Sequence, residues 1–144
     1  MVSRLLDRGI PIDLRDPRGG YTPLMAAAAS KRSGVDMLQF LVSRGADVNA
    51  VSGDVETTPL SLAAKSGDVA KTQYLLDLGT NARHRTAGGY TCLINAVHTF
   101  TPSMEVVKIL IDAGAKITAV TRWGEFALGI AVYFANYELA ERWS

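Results

Sequence analysis

The sequence predicts an all-α fold built as a solenoid of stacked helix pairs, and three observations carry that expectation. One phrase returns four times: "YTPLMAAA" from Tyr21, "TTPLSLAA" from Thr57, "YTCLINAV" from Tyr90 and "EFALGIAV" from Glu125. Its leucines, Leu24, Leu60, Leu93 and Leu128, stand 36, 33 and 35 residues apart. A second phrase keeps step with the first, in "LLDRGIPIDL", "LVSRGADVNA", "LLDLGTNARH" and "LIDAGAKITA", with glycines at Gly9, Gly45, Gly79 and Gly114. Neither stretch can bury its apolar side alone, so each copy needs the next one stacked against it.

Each element follows from local chemistry. Thr22 and Thr58 are placed to cap a helix through the side-chain oxygen, and Pro23 and Pro59 fall in the first turn, where no amide bond is lost. The Ala-rich run behind them makes a thin helix that lets neighbours approach closely. A short turn leads to a second, amphipathic helix, shown by Val69, Thr72, Tyr74, Leu75 and Leu76. That helix ends at Gly79, a residue suited to the left-handed conformation just past a helix C-terminus. The ten or so residues before the next capping position are rich in Gly, Asp, Asn and Pro and read as a turn.

In this order, "GYTPLMAAA", "TPLSLAAKSGD" and "GADVN" (Gly45 to Asn49) resemble the ankyrin repeat. That resemblance implies a β-hairpin-like finger loop, an inner Thr-Pro-Leu helix and an outer helix in every unit. It covers the whole chain: a partial repeat at 1–15, full repeats at 16–51, 52–85 and 86–120, and a C-terminal partial repeat at 121–144. Several positions depart from the family pattern. The usual His after Thr-Pro-Leu is replaced by Met25, Ser61, Ile94 and Gly129. Glu56 stands where a Gly is usual, Cys92 replaces Pro, and Phe126-Ala127 replaces Thr-Pro. About two extra residues separate the helices around "SKRSG" and "HTFTPS". Neither end carries a complete polar capping unit, so the chain is expected to be a piece of a longer one, with self-association through the uncapped terminal repeats as a further expectation.

Bulk properties narrow the function. Of 144 residues 48% are apolar and 20% are charged, as in an ordinary globular chain. Fifteen basic residues against fourteen acidic ones leave a formal charge of +1, which offers no general field for nucleic acid or an anionic membrane. The longest apolar run, "ALGIAVYFA", is too short to span a bilayer, so no membrane insertion is expected. The N-terminus holds no stretch resembling a signal peptide. The one cysteine, Cys92, can form neither an internal disulfide nor a zinc site. An intracellular, cytoplasmic setting is expected, with the nucleus as the alternative.

No enzyme, metal or cofactor is expected, because no nucleophile, base and orienting group fall together and no phosphate-binding or metal motif occurs. His98, late in an inner helix, faces the groove without a nucleophile beside it. His84, between Arg83 and Arg85, reads as a small solvated basic patch. Cys92, in a helix first turn, could hold a stabilised thiolate, but reads as a small buried packing residue.

The resemblance implies protein binding, through finger tips and the inner-helix ends on a concave face. Carried over, those positions are Arg18, Tyr21, Ala29 and Ser30; then Asp54, Val55, Thr57, Lys65 and Ser66; then Tyr90, His98, Thr99 and Phe100; and finally Arg122, Trp123, Glu125, Tyr133 and Phe134. The strip runs from small and basic, with Lys31, Arg32 and Lys65, to aromatic, with Tyr90, His98, Phe100, Trp123, Tyr133 and Phe134. Aromatic and arginine side chains dominate binding hot spots. The expected partner is a protein or peptide with an apolar anchor for the C-terminal half and acidic groups for the basic half. A second expectation is a regulatory or targeting segment of a larger enzyme or channel, its concave face covered by another domain. Asn49 stands where asparagines of the family can be hydroxylated, although a plain turn role, with the amide bonding nearby backbone, is the favoured reading.

Overall fold

The computed structural model describes residues 2–99, 102–116, 118, 120–122 and 124. Among them are seven helices and no extended strand: α1 (Val2–Asp7), α2 (Pro23–Ala29), α3 (Val35–Ser43), α4 (Pro59–Ser66), α5 (Val69–Asp77), α6 (Cys92–Val97) and α7 (Met104–Asp112). The inner helices α2, α4 and α6 stack in succession, the outer helices α3, α5 and α7 form a second layer, and each inner helix packs on the outer helix that follows it.

The capping expected from the threonines is present. Met25, Ser61 and Ile94 each donate a backbone N–H to the hydroxyl of Thr22, Thr58 and Thr91, at 3.3, 3.3 and 3.2 Å. Thr91 does this with Cys92 in the place of proline, so the third copy starts its helix with the cap alone. Behind the caps, Leu24, Leu60 and Leu93 are buried with Ala28, Ala63 and Ala96 between the stacked layers. The three residues in the variable position after Thr-Pro-Leu, Met25, Ser61 and Ile94, are all buried.

The outer helices close as their glycines require. Gly45, Gly79 and Gly114 have φ of +93, +80 and +94°, and Ala46 and Ala115 donate back to Leu41 and Leu110 at 3.1 and 3.0 Å. These are paired end bonds that satisfy the last carbonyls of each helix. The inner-to-outer connections differ in length as anticipated: residues 30–34 and 98–103 in two pairs, against 67–68 in the middle one.

One feature of the outer layer does not follow from pattern. Lys71 is fully buried in α5, at the register that Met37 holds in α3 and Val106 in α7. Its ammonium donates to the carbonyls of Ala27 and Ser30, at 2.7 and 2.6 Å, at the C-terminal end of α2. Burial pushes its pKa down, and the nearby Asp68 carboxylate opposes that shift.

Candidate functional site

The loops between helix pairs are hairpin-like fingers, each closed by an equivalent backbone bond: Asp16 N–H to Tyr21 C=O, Ser52 to Thr57 and Thr86 to Tyr90, all at 2.9 Å. A polar side chain braces each from inside. Asp16 accepts from the amides of Gly19 and Tyr21 (3.0 and 3.1 Å), the Ser52 hydroxyl accepts from Thr57 N–H (3.0 Å), and that of Thr86 from Tyr90 N–H (3.1 Å). The amides on Asp16 hold its carboxyl below the usual range, Tyr21 contributing most.

Neighbouring fingers are bonded to one another. Gly53, Ala87 and Arg122 donate their amides to Gly19, Val55 and Gly88, at 3.1, 3.0 and 3.0 Å. Arginines cross the same gaps. Arg15 holds the Gly20 carbonyl of its own finger at 2.8 Å and crosses to the Val51 carbonyl at 2.6 Å, Arg122 crosses to Ala87 at 2.6 Å, and Arg85 to Val120.

Side chains of "NARHRT" make the same kind of clamp, although Arg83 and Arg85 stay exposed as expected. Arg83 reaches the Gly114 carbonyl at 3.2 Å, Arg85 reaches Val120, and a His84 ring nitrogen lies 2.7 Å from the Glu56 carbonyl oxygen. All three side chains are spent on joining neighbours. Glu56 is also the one described residue other than glycine with positive φ, +57°, the conformation that Gly20 and Gly89 hold at the same finger position with +70 and +81°.

The fingers and inner helices bound a cleft of about 280 Å³ lined by Tyr21, Val55, Thr57, Ser61, Leu62, Lys65, Thr86, Tyr90, Asn95 and His98. Its shape follows from the repeat register. Tyr21, Thr57 and Tyr90 are equivalent, and the small, buried Thr57 leaves an opening between two half-buried tyrosines. Ala29, Lys65 and His98 are likewise equivalent, each one turn past its inner-helix core leucine, and all three are exposed. The Tyr90 and His98 rings stack, centroids 5.6 Å apart and planes 12° off parallel. Tyr21 is pushed to a higher pKa, first by burial and then by the Asp54 and Asp16 carboxylates, so its phenol stays neutral and able to donate.

The structure thus brings five sequence-predicted residues, Tyr21, Val55, Lys65, Tyr90 and His98, to one cleft, with Thr57 beneath them. Lys31 and Arg32 are exposed on the loop just beyond α2, at the same helix-end edge as Lys65, and Arg18 is exposed on the first finger. Among the described residues the one ion pair joins Arg44 to Asp7, at 2.9 Å, so Lys31, Arg32 and Lys65 have no acidic partner there. Phe100, Trp123, Glu125, Tyr133 and Phe134 lie outside the described residues. Asn49 is exposed, its backbone N–H donating to Asp47 at 2.9 Å, and it lines a second cleft of about 290 Å³ with His84, Thr58 and Asn81.

Cys92 is a packing residue. It is fully buried, its sulfur is 3.3 Å from the Ser61 hydroxyl, and burial pushes its pKa up to about 11 despite that hydroxyl. A thiol held protonated in this way is not a nucleophile near neutral pH. Among the described residues no helix is long and apolar enough to cross a membrane.

The sequence profile of the Ankyrin repeat matches residues 19–53, and that of Ankyrin repeats (3 copies) matches residues 51–121. The chain belongs to the ankyrin repeat family, whose repeats are generally non-catalytic and mediate protein–protein contact. It is 32% identical over 126 residues to human Ankyrin repeat and SOCS box protein 6, across 84% of this chain and 30% of that protein. It is 33% identical over 135 residues to an ankyrin repeat-containing protein of Treponema pallidum, across 93% of this chain and 43% of that one. It is also similar to the palmitoyltransferase Hip14 of Drosophila melanogaster, at 30% over 92 residues, 64% of this chain and 14% of the relative. The chain spans less than half the length of each of these relatives.

Proposed function

We propose that this chain is a non-catalytic interaction module that takes an acidic segment of a protein partner across its concave face. The observation that carries the reading is the cleft over Thr57, where Lys65 and His98 are the ionisable residues able to carry positive charge and no acidic side chain takes part in the lining. Tyr21 and the Tyr90–His98 stack supply flat, pre-positioned walls, which lose little rotamer freedom when covered. Lys31 and Arg32 extend the basic edge toward the N-terminal side. Trp123, Tyr133, Phe134 and Phe100 are retained as the apolar anchor, and Asn49 as a modification site.

Peptide arrays carrying acidic segments and charge-reversed versions, probed with the wild type and with Tyr90→Ala and Lys65→Glu variants, test this. The reading expects retention of acidic spots by the wild type and at least a tenfold loss in either variant, in line with a hot-spot residue worth about 2 kcal/mol. Equal retention by all three proteins, or preference for basic spots, would sink it.

The second reading, an interaction segment serving a larger enzyme, is supported by the palmitoyltransferase relative, in which the aligned part is 14% of the protein. An intracellular setting suits either reading.

A further inference from the structure

Lys71 and the loop between α2 and α3 depart from their counterparts together, and the structure joins them. The α4–α5 connection is short: Gly67, with φ of +76°, donates to the Ala64 carbonyl, and the Ser66 hydroxyl donates to the Ala63 carbonyl at 2.7 Å. The helix end therefore satisfies itself, and the outer helix packed beyond it comes close enough that a Cβ on Gly67 would sit 3.8 Å from Ser103. At the Lys71 register of that next outer helix stands Val106, fully buried. The α2–α3 connection has no such turn. It runs through residues 30–34, with Ser30 extended at ψ +131°, and the Ala27 carbonyl, equivalent to that of Ala63, is met from outside by Lys71 Nζ and by the Ser33 hydroxyl at 3.0 Å. Lys71 also takes the Ser30 carbonyl, at the first residue of the loop. A cation there also suits the negative end of the α2 dipole. The short turn stands opposite valine, and the long loop opposite lysine.

We infer that Lys71 is a positioning residue for the loop 30–34: a buried strut from the neighbouring helix pair that fixes the end of α2 and thereby sets where Lys31 and Arg32 stand on the basic edge. The strut rests on the geometry alone, and its consequence for recognition rests on the proposed binding function. It makes the basic edge dependent on correct docking of the α4/α5 pair, since the loop's anchor belongs to that pair.

A double-variant cycle tests it. The first change is Lys71→Val, which installs the residue found at the α7 register. The second replaces residues 31–34 by the Gly-Asp connection of the α4–α5 pair, keeping Ser30 in the place of Ser66. In the native loop, Lys71→Val should shift the unfolding equilibrium by about a hundredfold, because the Ser30 carbonyl loses its ammonium donor and the Ala27 carbonyl is left with the Ser33 hydroxyl alone. In the short-loop chain the same change should cost about threefold or less, or stabilise, since the turn then caps itself. Hydrogen exchange adds a local readout. The Ser30 and Arg32 amides, bonded to the Ala26 carbonyl and the Ser30 hydroxyl, should exchange at least tenfold faster in Lys71→Val while α6 amides do not change.

An equal cost of Lys71→Val in both loop backgrounds would overturn the strut, as would unchanged exchange at Ser30 and Arg32 in a folded variant. If Lys71→Val alone does not fold, rescue by the short loop supports the strut and failure of rescue overturns it. Binding to immobilised poly-glutamate separates the two claims. Weakened binding by Lys71→Val supports placement of the edge, and unaltered binding overturns that part. A wild-type chain that ignores the probe counts against the acidic-partner reading and leaves the cycle to decide the strut.

Discussion

Replacing Glu56 by glycine should stabilise this protein, although glycine in a loop ordinarily costs stability by freeing the unfolded chain. Glu56 occupies the left-handed region at φ +57°, where Gly20 and Gly89 serve the other fingers. A residue with a Cβ is disfavoured there by roughly 1–2 kcal/mol. Glycine relieves that strain but gains freedom in the unfolded chain, a cost of about 0.4–1 kcal/mol. The difference leaves a gain of about 0.5 kcal/mol or a little more, which for a chain of this length raises Tm by about 2 °C. Glu56→Ala keeps the strain and should leave Tm near its original value. His84→Ala should cost about 1 kcal/mol by removing the bond to the Glu56 carbonyl. Because that acceptor is backbone and survives the change to glycine, the two effects should add. Urea and thermal unfolding followed by circular dichroism on the four chains measure all of this. A lower midpoint for Glu56→Gly would refute the idea that neighbouring bonds impose the conformation on an unwilling residue.

Other perturbations probe different parts of the same account. Gly20 and Gly45 both have positive φ, but a Cβ on Gly20 would lie 2.8 Å from the Gly53 amide nitrogen, whereas one on Gly45 meets nothing within 4 Å. Gly20→Ala should therefore cost at least about 1 kcal/mol more than Gly45→Ala, which carries the dihedral strain alone at roughly 1–2 kcal/mol; equal urea midpoints would show that the fingers are not pressed together. Cys92 should resist a thiol reagent in the native protein and react at once in urea. Its pKa of about 11 exceeds the ordinary 9.0, so above pH 9.0 the unfolded chain loses its thiol proton first and stability falls until about pH 11; Cys92→Ala should flatten that part of the pH curve. Asp16 works in the opposite direction. Its carboxyl is held below 3.8 by finger amides, so its contribution is present above that value and disappears as the pH drops through the lower folded one, a dependence that Asp16→Asn should remove.

What could be read from the sequence was whatever is local. Thr22, Thr58 and Thr91 meet their amides three residues on, and Gly45, Gly79 and Gly114 close the helices that precede them; such partners are within a turn and leave a signature in spacing. The shared face of Tyr90 and His98 was legible only through the family resemblance, which puts a finger position and an inner-helix end on the same concave side. The long-range partners were not. Lys71 falls in an amphipathic helix where a lysine ordinarily reads as exposed, and its acceptors are 44 and 41 residues away. Arg15, Arg83 and Arg85 gave no local sign of the carbonyls they hold in the next copy. Glu56 was visible as a departure, but its conformation follows from the finger bonds around it and not from its own preference.

The two edges of the concave face are held in different ways, and this divides the work of recognition between them. Along the finger tips, backbone amides and arginines tie each copy to the next, from Gly53 on Gly19 through Ala87 on Val55 to Arg122 on Gly88. A surface braced so frequently presents Tyr21 and Tyr90 with little freedom left to lose, so shape selection belongs on that side. At the helix-end edge Lys31, Arg32 and Lys65 stand without ion pairs among the described residues, and Lys71 is the cross-brace beneath them. Charge selection belongs there, and charges in water are screened over about 10 Å at 0.1 M salt. Raising the salt should therefore lower affinity for an acidic partner by slowing its association, while Tyr90→Ala should act mainly by hastening release. Kinetic binding curves measured at two salt concentrations separate these effects, and a salt dependence confined to the release rate would place the charged contacts inside the cleft instead of at its edge.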